Sequence, residues 1–178
     1  MNILTTLTYY RPHYSGLTIY AERLARAMVE RGHTVTVLTS RYDRSLPARE
    51  NRDGVQVIRP HVLMHVSKGV LMPSMSYWAW KNIRKADVVH LHLPQLDAAY
   101  VAVISRLLQK PVVLTYHCDL RLPSGFIHSI ANQVSHLANV ISMRNALQVV
   151  VNTLEYAEAS PFLRPIFRKF VPYQHLWR

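Results

Sequence analysis

The chain has 178 residues, about one domain's length, and 49% of them are hydrophobic, which excludes wholesale disorder. Twenty-one Lys and Arg against ten Asp and Glu leave a formal charge of +11, which favours anionic partners: phosphates, acidic lipid headgroups or nucleic acid. A lone cysteine, Cys118, excludes an internal disulfide framework and suits a reducing compartment, and only five glycines argue against a glycine-rich phosphate cradle.

Residues 2–8 are short, apolar and β-favouring, and a polar loop follows from Tyr9 to Gly16. Leu17, Tyr20, Ala21, Leu24, Ala27, Met28 and Arg31 then recur at helical spacing, with Glu22–Arg26 and Arg26–Glu30 as i,i+4 pairs. Gly32 stands where a helix C′ residue belongs, and HTVTVLT (33–39) is β-branched. A β–loop–α–β unit within 40 residues implies a right-handed crossover and a parallel sheet.

Residues 41–52 read as a charged loop, and Asp53-Gly54 as a turn before a strand at VQVIRP. The stretch 61–74 is ambiguous between two prolines, and Ser74 is placed to cap a short helix to about Lys85. Strands are expected at 87–91, 111–116 and 148–151, and helices at about 95–108, 126–146 and 155–160. The longest apolar stretch, 98–116, is broken by Arg106, Gln109 and Lys110, short of the roughly 20 residues of a membrane span. The opening MNILTTLTYYRP has neither the basic nor the apolar region of a signal peptide. The expected architecture is a single α/β domain over 1–178: an open, mostly parallel, Rossmann-like sheet with helices on both faces.

In such sheets ligands bind beyond the carboxyl ends of the strands. Three strand ends there carry polar clusters: Arg11, His13, Ser15 and Gly16 after the first, His92 and Gln95 after the strand at 87–91, and His117 and Asp119 after the strand at 111–116. Ser15-Gly16 opens a helix, whose free N–H groups and dipole favour a phosphate or carboxylate, and glycine would permit close approach. His117 reads either as a base or hydroxyl partner, with Asp119 to orient it or meet substrate, or as a satisfied histidine near the core. His90-x-His92 with His117 and Asp119 is a weak metal-ligand pattern, and no metal is expected. The run from Tyr77 to Lys85 mixes aromatics and cations, and suits either a lipid interface or a core-packed pair of tryptophans with a solvated basic end. Scattered cations and no recognition motif argue against nucleic acid, and the dinucleotide and P-loop glycine patterns are absent.

In order along the chain, YYRPHYSG, ERLARAMVERGHTVTVLTS, DVVHLHLP, VVLTYHCDL, SPFL and KFV resemble the motifs of family 4 glycosyltransferases. The resemblance implies one half of a GT-B fold, the N-terminal domain that holds the acceptor. It implies sugar transfer from a nucleotide-sugar co-substrate, with retained configuration and no cofactor, to lipid-linked or saccharide acceptors such as cell-envelope polysaccharides. By this analogy Ser15 and Gly16 would lie under the donor phosphate and His117 would reach the transferred sugar. The family's first loop glycine is Ser15 here, and no E-x7-E donor motif stands beyond KFV, where the second domain is expected to begin, so the donor-binding domain is expected to be absent or supplied as a separate half. Activity alone is expected to be weak or absent, and a non-catalytic glycan- or acceptor-binding module is the rival reading. A cytoplasmic site, peripheral at the inner membrane face, fits both the substrate class and the basic charge.

Overall fold

The computed structural model describes residues 1–66, 69–119, 126–151, 153–160, 163 and 170–172. In chain order they form β1 (Asn2–Thr6), α1 (Gly16–Glu30), β2 (Thr34–Leu38), β3 (Arg49–Arg52), β4 (Val55–Ile58), β5 (Met64–Val66), β6 (Gly69–Leu71), α2 (Met75–Ile83), β7 (Val88–Leu93), α3 (Ala98–Leu107), β8 (Val112–Tyr116), α4 (Phe126–Asn145), β9 (Gln148–Val151), α5 (Leu154–Ala159) and β10 (Phe170–Pro172). Eight strands make one sheet in the order β10-β9-β8-β7-β1-β2-β4-β3. It is parallel except for the antiparallel β3–β4 pair.

Alternation along the strands divides the core in two. Leu4, Leu38, Val89, Leu91, Leu93 and Leu114 pack with Met75, Ala79 and Ile83 of α2, Val101 of α3 and Met143 of α4. Ile3, Val35, Val37, Val55 and Val57 pack with Ala21 and Ala25 of α1 on the other face. The α/β sheet with helices on both faces is therefore as the periodicities predict.

The helix and turn signals act through identifiable bonds. Ser15 is the N-cap of α1: its side chain accepts from the Thr18 N–H while the Thr18 hydroxyl accepts from the Ser15 N–H. At the other end Gly32, at φ +82°, donates to Val29 O at 2.9 Å, and His33 donates to Met28 O at 3.1 Å, which is a Schellman motif. Asp53 and Gly54, at φ 52° and 79°, make the two-residue β3–β4 turn, whose positive dihedrals match a type I′ hairpin.

Several boundaries differ from the sequence reading. The charged loop at 41–52 contains β3, whose polar RENR pairs with β4 at the sheet edge because the turn brings it there. The ambiguous stretch contains the β5–β6 hairpin. Strand β7 runs on to Leu93, so His92 lies inside it. Ser74 holds the N-cap position of α2 but makes no capping bond. Glu22, spaced to pair with Arg26, instead meets Arg11 Nε at 2.8 Å.

Gly54 carries a packing constraint as well as a backbone one, since a Cβ there would lie 2.7 Å from Val29 Cγ1 on α1. Gly54→Ala is expected to cost about 2 kcal/mol, read as a lower urea midpoint with an unchanged slope.

Candidate functional site

Strand order reverses between β1 and β7: from β1 the chain proceeds through β2 and β4, and from β7 through β8 and β9. Such a reversal leaves a crevice at the carboxyl ends of the two strands. The polar strand ends converge there, because β8, β7 and β1 are immediate neighbours.

Period-two alternation puts Val89, Leu91 and Leu93 of β7 into the larger core and turns His90 and His92 to the α1 side, where Val88 packs. His90 Nε2 lies 2.8 Å from Thr115 Oγ1 on β8, and His92 Nδ1 lies 3.0 Å from His117 Nε2 just past β8. Tyr20 of α1 sets its ring edge-on to both His92 and His117, at 5.9 and 5.1 Å between centroids. Gln95, beyond β7, accepts from the Thr6 hydroxyl at the end of β1 at 3.2 Å. His92 Nε2 and Gln95 Nε2 are buried without a hydrogen-bond partner.

Burial fixes the protonation of this cluster. It pushes His90 down to about 4, with His117 adding to the effect, and His117 itself down to about 4. It holds His92 well below its ordinary value, with His90 and His117 adding to the effect. All three are neutral at pH 7. The His92–His117 bond then contains one proton, donated by one ring to the bare nitrogen of the other, and only protonation of both rings would set N–H against N–H.

The loop after β1 is held from both sides. Tyr10 anchors it in the α1-side core. Arg11 pairs with Glu22 of α1 and lays its guanidinium over the Tyr14 ring at 3.9 Å. Arg59, buried at the end of β4, donates to the Arg11 carbonyl at 2.8 Å and pairs with Glu50 of β3. His13 packs tilted against Tyr9 and edge-on to Tyr42, at 4.8 and 5.7 Å between centroids. Ser15 is occupied as the cap, which leaves the Gly16 and Leu17 N–H groups at the helix start without an intrahelical acceptor. A Cβ built on Gly16 meets nothing within 4 Å, so the space above it is open.

The predicted residues thus fall into three places. His92 and His117 meet at the switch point under Tyr20, with Gln95 bonded to Thr6 at the same edge; Arg11, His13, Ser15 and Gly16 form the loop after β1. Asp119 belongs to a third group: its carboxylate accepts from Tyr116 at 2.8 Å and Ser160 at 3.0 Å, and its N–H donates to Tyr156 at 2.9 Å. These bonds tie the end of β8 to the region of α5. Sequence reading missed Tyr20 and Thr6. Tyr20 lay in the apolar stripe of α1, and only its place one turn beyond Gly16, facing the histidines, distinguishes it. Among the described residues no group of three or more His, Cys, Asp or Glu could hold a metal ion. A cleft of about 270 Å³ opens at the opposite sheet edge, lined by Asn2, Thr34, Thr36, Gln56, Asn82 and Lys85 among others, and none of the candidate residues borders it.

The family model for Glycosyltransferase Family 4 matches residues 14–159. A protein of Methanocaldococcus jannaschii named as an uncharacterized glycosyltransferase is 27% identical over 147 residues, spanning 76% of this chain and 35% of that protein. Among solved structures, a sucrose-phosphate synthase from Thermosynechococcus elongatus superposes with a TM-score of 0.62 at 14% identity, over 96% of this chain and 47% of its own. The catalytic domain of starch synthase IV from Arabidopsis thaliana, bound to ADP and acarbose, gives 0.58 at 13% identity, over 96% and 50%. A UDP-GlcNAc 2-epimerase from Methanocaldococcus jannaschii gives 0.57 at 14%, over 97% and 45%. The fold is thus the Rossmann-like half of a GT-B architecture, and the chain spans about a third of the curated relative's length.

The depressed histidines link stability to pH. Their folded values lie below the unfolded value of about 6.5, so the stability they contribute is full above that pH and is lost as pH falls toward 4. The loss at pH 5 is expected to be about 2 kcal/mol from each of His90 and His117. Asp97, pushed up to about 6 by burial, acts in the opposite direction over part of the same window. Urea midpoints from pH 7.5 to 4.5 should fall in the native chain and fall less steeply in His90→Gln.

Proposed function

The chain belongs to glycosyltransferase family 4, and from that premise we propose that it is the acceptor-side half of a retaining enzyme. The enzyme moves a sugar from a nucleotide-sugar to a lipid-linked or saccharide acceptor, without a metal or other cofactor. The observation that carries this reading is the meeting, at one sheet edge, of a helix start open above Gly16 and a neutral, hydrogen-bonded His92–His117 pair.

Each part has a chemical task. The Gly16 and Leu17 N–H groups donate to the donor's phosphate oxygens, and the α1 dipole adds to their pull. The missing Cβ at Gly16 lets a phosphate come down onto the backbone. By the family resemblance His117 lies beside the transferred sugar, and its neutral ring puts no cation against the positive charge that develops there. Tyr20 and Gln95 shape the floor on which that sugar rests. Asp119, saturated by Tyr116 and Ser160, positions the segment that carries His117 rather than meeting substrate. The donor's nucleotide is held by a second, facing half, in keeping with the share of the solved neighbours that this chain spans. A cytoplasmic site, where nucleotide-sugars are made, suits this reading.

The test supplies that second half. Co-purified with the donor-binding half of a family 4 enzyme and a panel of nucleotide-sugars and acceptors, the chain is expected to support transfer. His117→Ala should lower the rate at least about 100-fold. Gly16→Val should raise KM for the donor while the urea midpoint stays within about 0.5 kcal/mol of native, because the space at Gly16 is open. Glycan binding without transfer under every pairing would replace this reading with that of a non-catalytic acceptor-binding module.

A further inference from the structure

The outward face of α2 and the hairpin before it are unexplained by the switch-point site. Met75, Ala79 and Ile83 fill the core, and the opposite face carries Tyr77, Trp80, Lys81 and Arg84 at helical spacing. Tyr77 and Trp80 are 55% and 44% exposed, although a helix that needed only solubility would place polar residues there. The cations lie over these rings: Lys81 Nζ is 5.8 Å from the Tyr77 centroid, and the Arg84 guanidinium is 4.8 Å from that of Trp80. Just upstream, Met64 and Leu71 are a cross-strand pair of β5 and β6, and their neighbour Val70 is buried. Met64 and Leu71 are 51% and 46% exposed, and Leu63, next to Met64, is 62% exposed. From Gly54 to Ala86 the sequence has no Asp or Glu, while Arg59, Lys68, Lys81, Arg84 and Lys85 are basic. Asp87, the next acid, accepts from the Asn2 N–H at 2.7 Å.

We propose that the outer side of α2 docks on an anionic phospholipid bilayer, with the exposed Leu63, Met64 and Leu71 of the hairpin as a second apolar contact. Indole and phenol rings flanked by Lys and Arg suit the headgroup boundary, where the rings sink and the cations meet phosphate. Charge complementarity selects this occupant. A second copy of a chain with charge +11 would present the same basic face and repel it. A nucleic acid would satisfy the cations but leave the exposed leucines and methionine with nothing apolar to cover them. Docking of this kind uses no residue of the switch-point cluster, so it stands apart from the transferase reading.

Vesicle flotation of the full chain without any sugar nucleotide tests it, using phosphatidylcholine vesicles with or without phosphatidylglycerol. Binding is expected only with phosphatidylglycerol, and should weaken as salt rises. Lys81→Gln/Arg84→Gln/Lys85→Gln and Tyr77→Ser/Trp80→Ser should each weaken it at least about tenfold, and Met64→Ser/Leu71→Ser should weaken it measurably. All these side chains lie outside the core, and circular dichroism checks each variant's fold. The proposal is overturned by no binding to anionic vesicles at low salt. It is equally overturned by native-strength binding in all three variants, by self-association through these residues in place of vesicle binding, or by DNA binding that the charge variant alone abolishes. Because no donor or acceptor is present, failure here leaves the transfer experiment untouched.

Discussion

The reversal of strand order between β1 and β7 is the constraint from which the rest follows. Connections leave the two strands in opposite directions, so no loop bridges their carboxyl ends and polar side chains accumulate in the gap. Polar groups taken from water are costly unless they find partners. Thr6 finds Gln95, His90 finds Thr115 and His92 finds His117, each across a strand boundary or from a strand end to the loop beyond. The gap is tolerable because the opposite face of the same strands is packed with Val, Leu and three helices. One face of β7 supplies cohesion and the other supplies chemistry.

What the sequence makes legible follows from this division. The crossover, the Schellman glycine at Gly32 and the turn at Asp53-Gly54 are local devices, and local spacing reveals them. The alternating histidines are visible because they interrupt an apolar run at period two. Partners chosen by tertiary proximity are not visible. Asp119 looked like an orienting group for His117 because only Cys118 separates them, yet its carboxylate meets Ser160, far along the chain, and Tyr116. Glu22 looked like a helix-surface partner of Arg26 until the β1 loop folded Arg11 onto it. Strand β3 has no apolar pattern to read, since its hydrogen-bonding partner and its turn, not burial, make it a strand.

Histidine protonation and site geometry are also one problem rather than two. The burial that keeps His117 neutral is provided by the same packing, Tyr20 from one side and the end of β8 from the other, that fixes its ring against His92. Opening the cluster to solvent would restore ordinary basicity and lose the alignment together. A site of this kind is sensitive to how α1 sits on the sheet, which is set in turn by the cap at Ser15 and by the close contact of Gly54 with Val29.

The buried Arg59 has an evolutionary consequence. Its guanidinium is paired with Glu50 and holds the Arg11 carbonyl, so the loop above Gly16 hangs on a cation with almost no access to water. Loss of the Glu50 charge would strand Arg59 inside the protein, a step costing about 3–5 kcal/mol, while Glu50 itself keeps a quarter of its side chain in water. A descendant lineage that keeps Arg59 therefore has few single-step exits at position 50. A chemically modest ion pair becomes a ratchet, preserving the path of a functional loop.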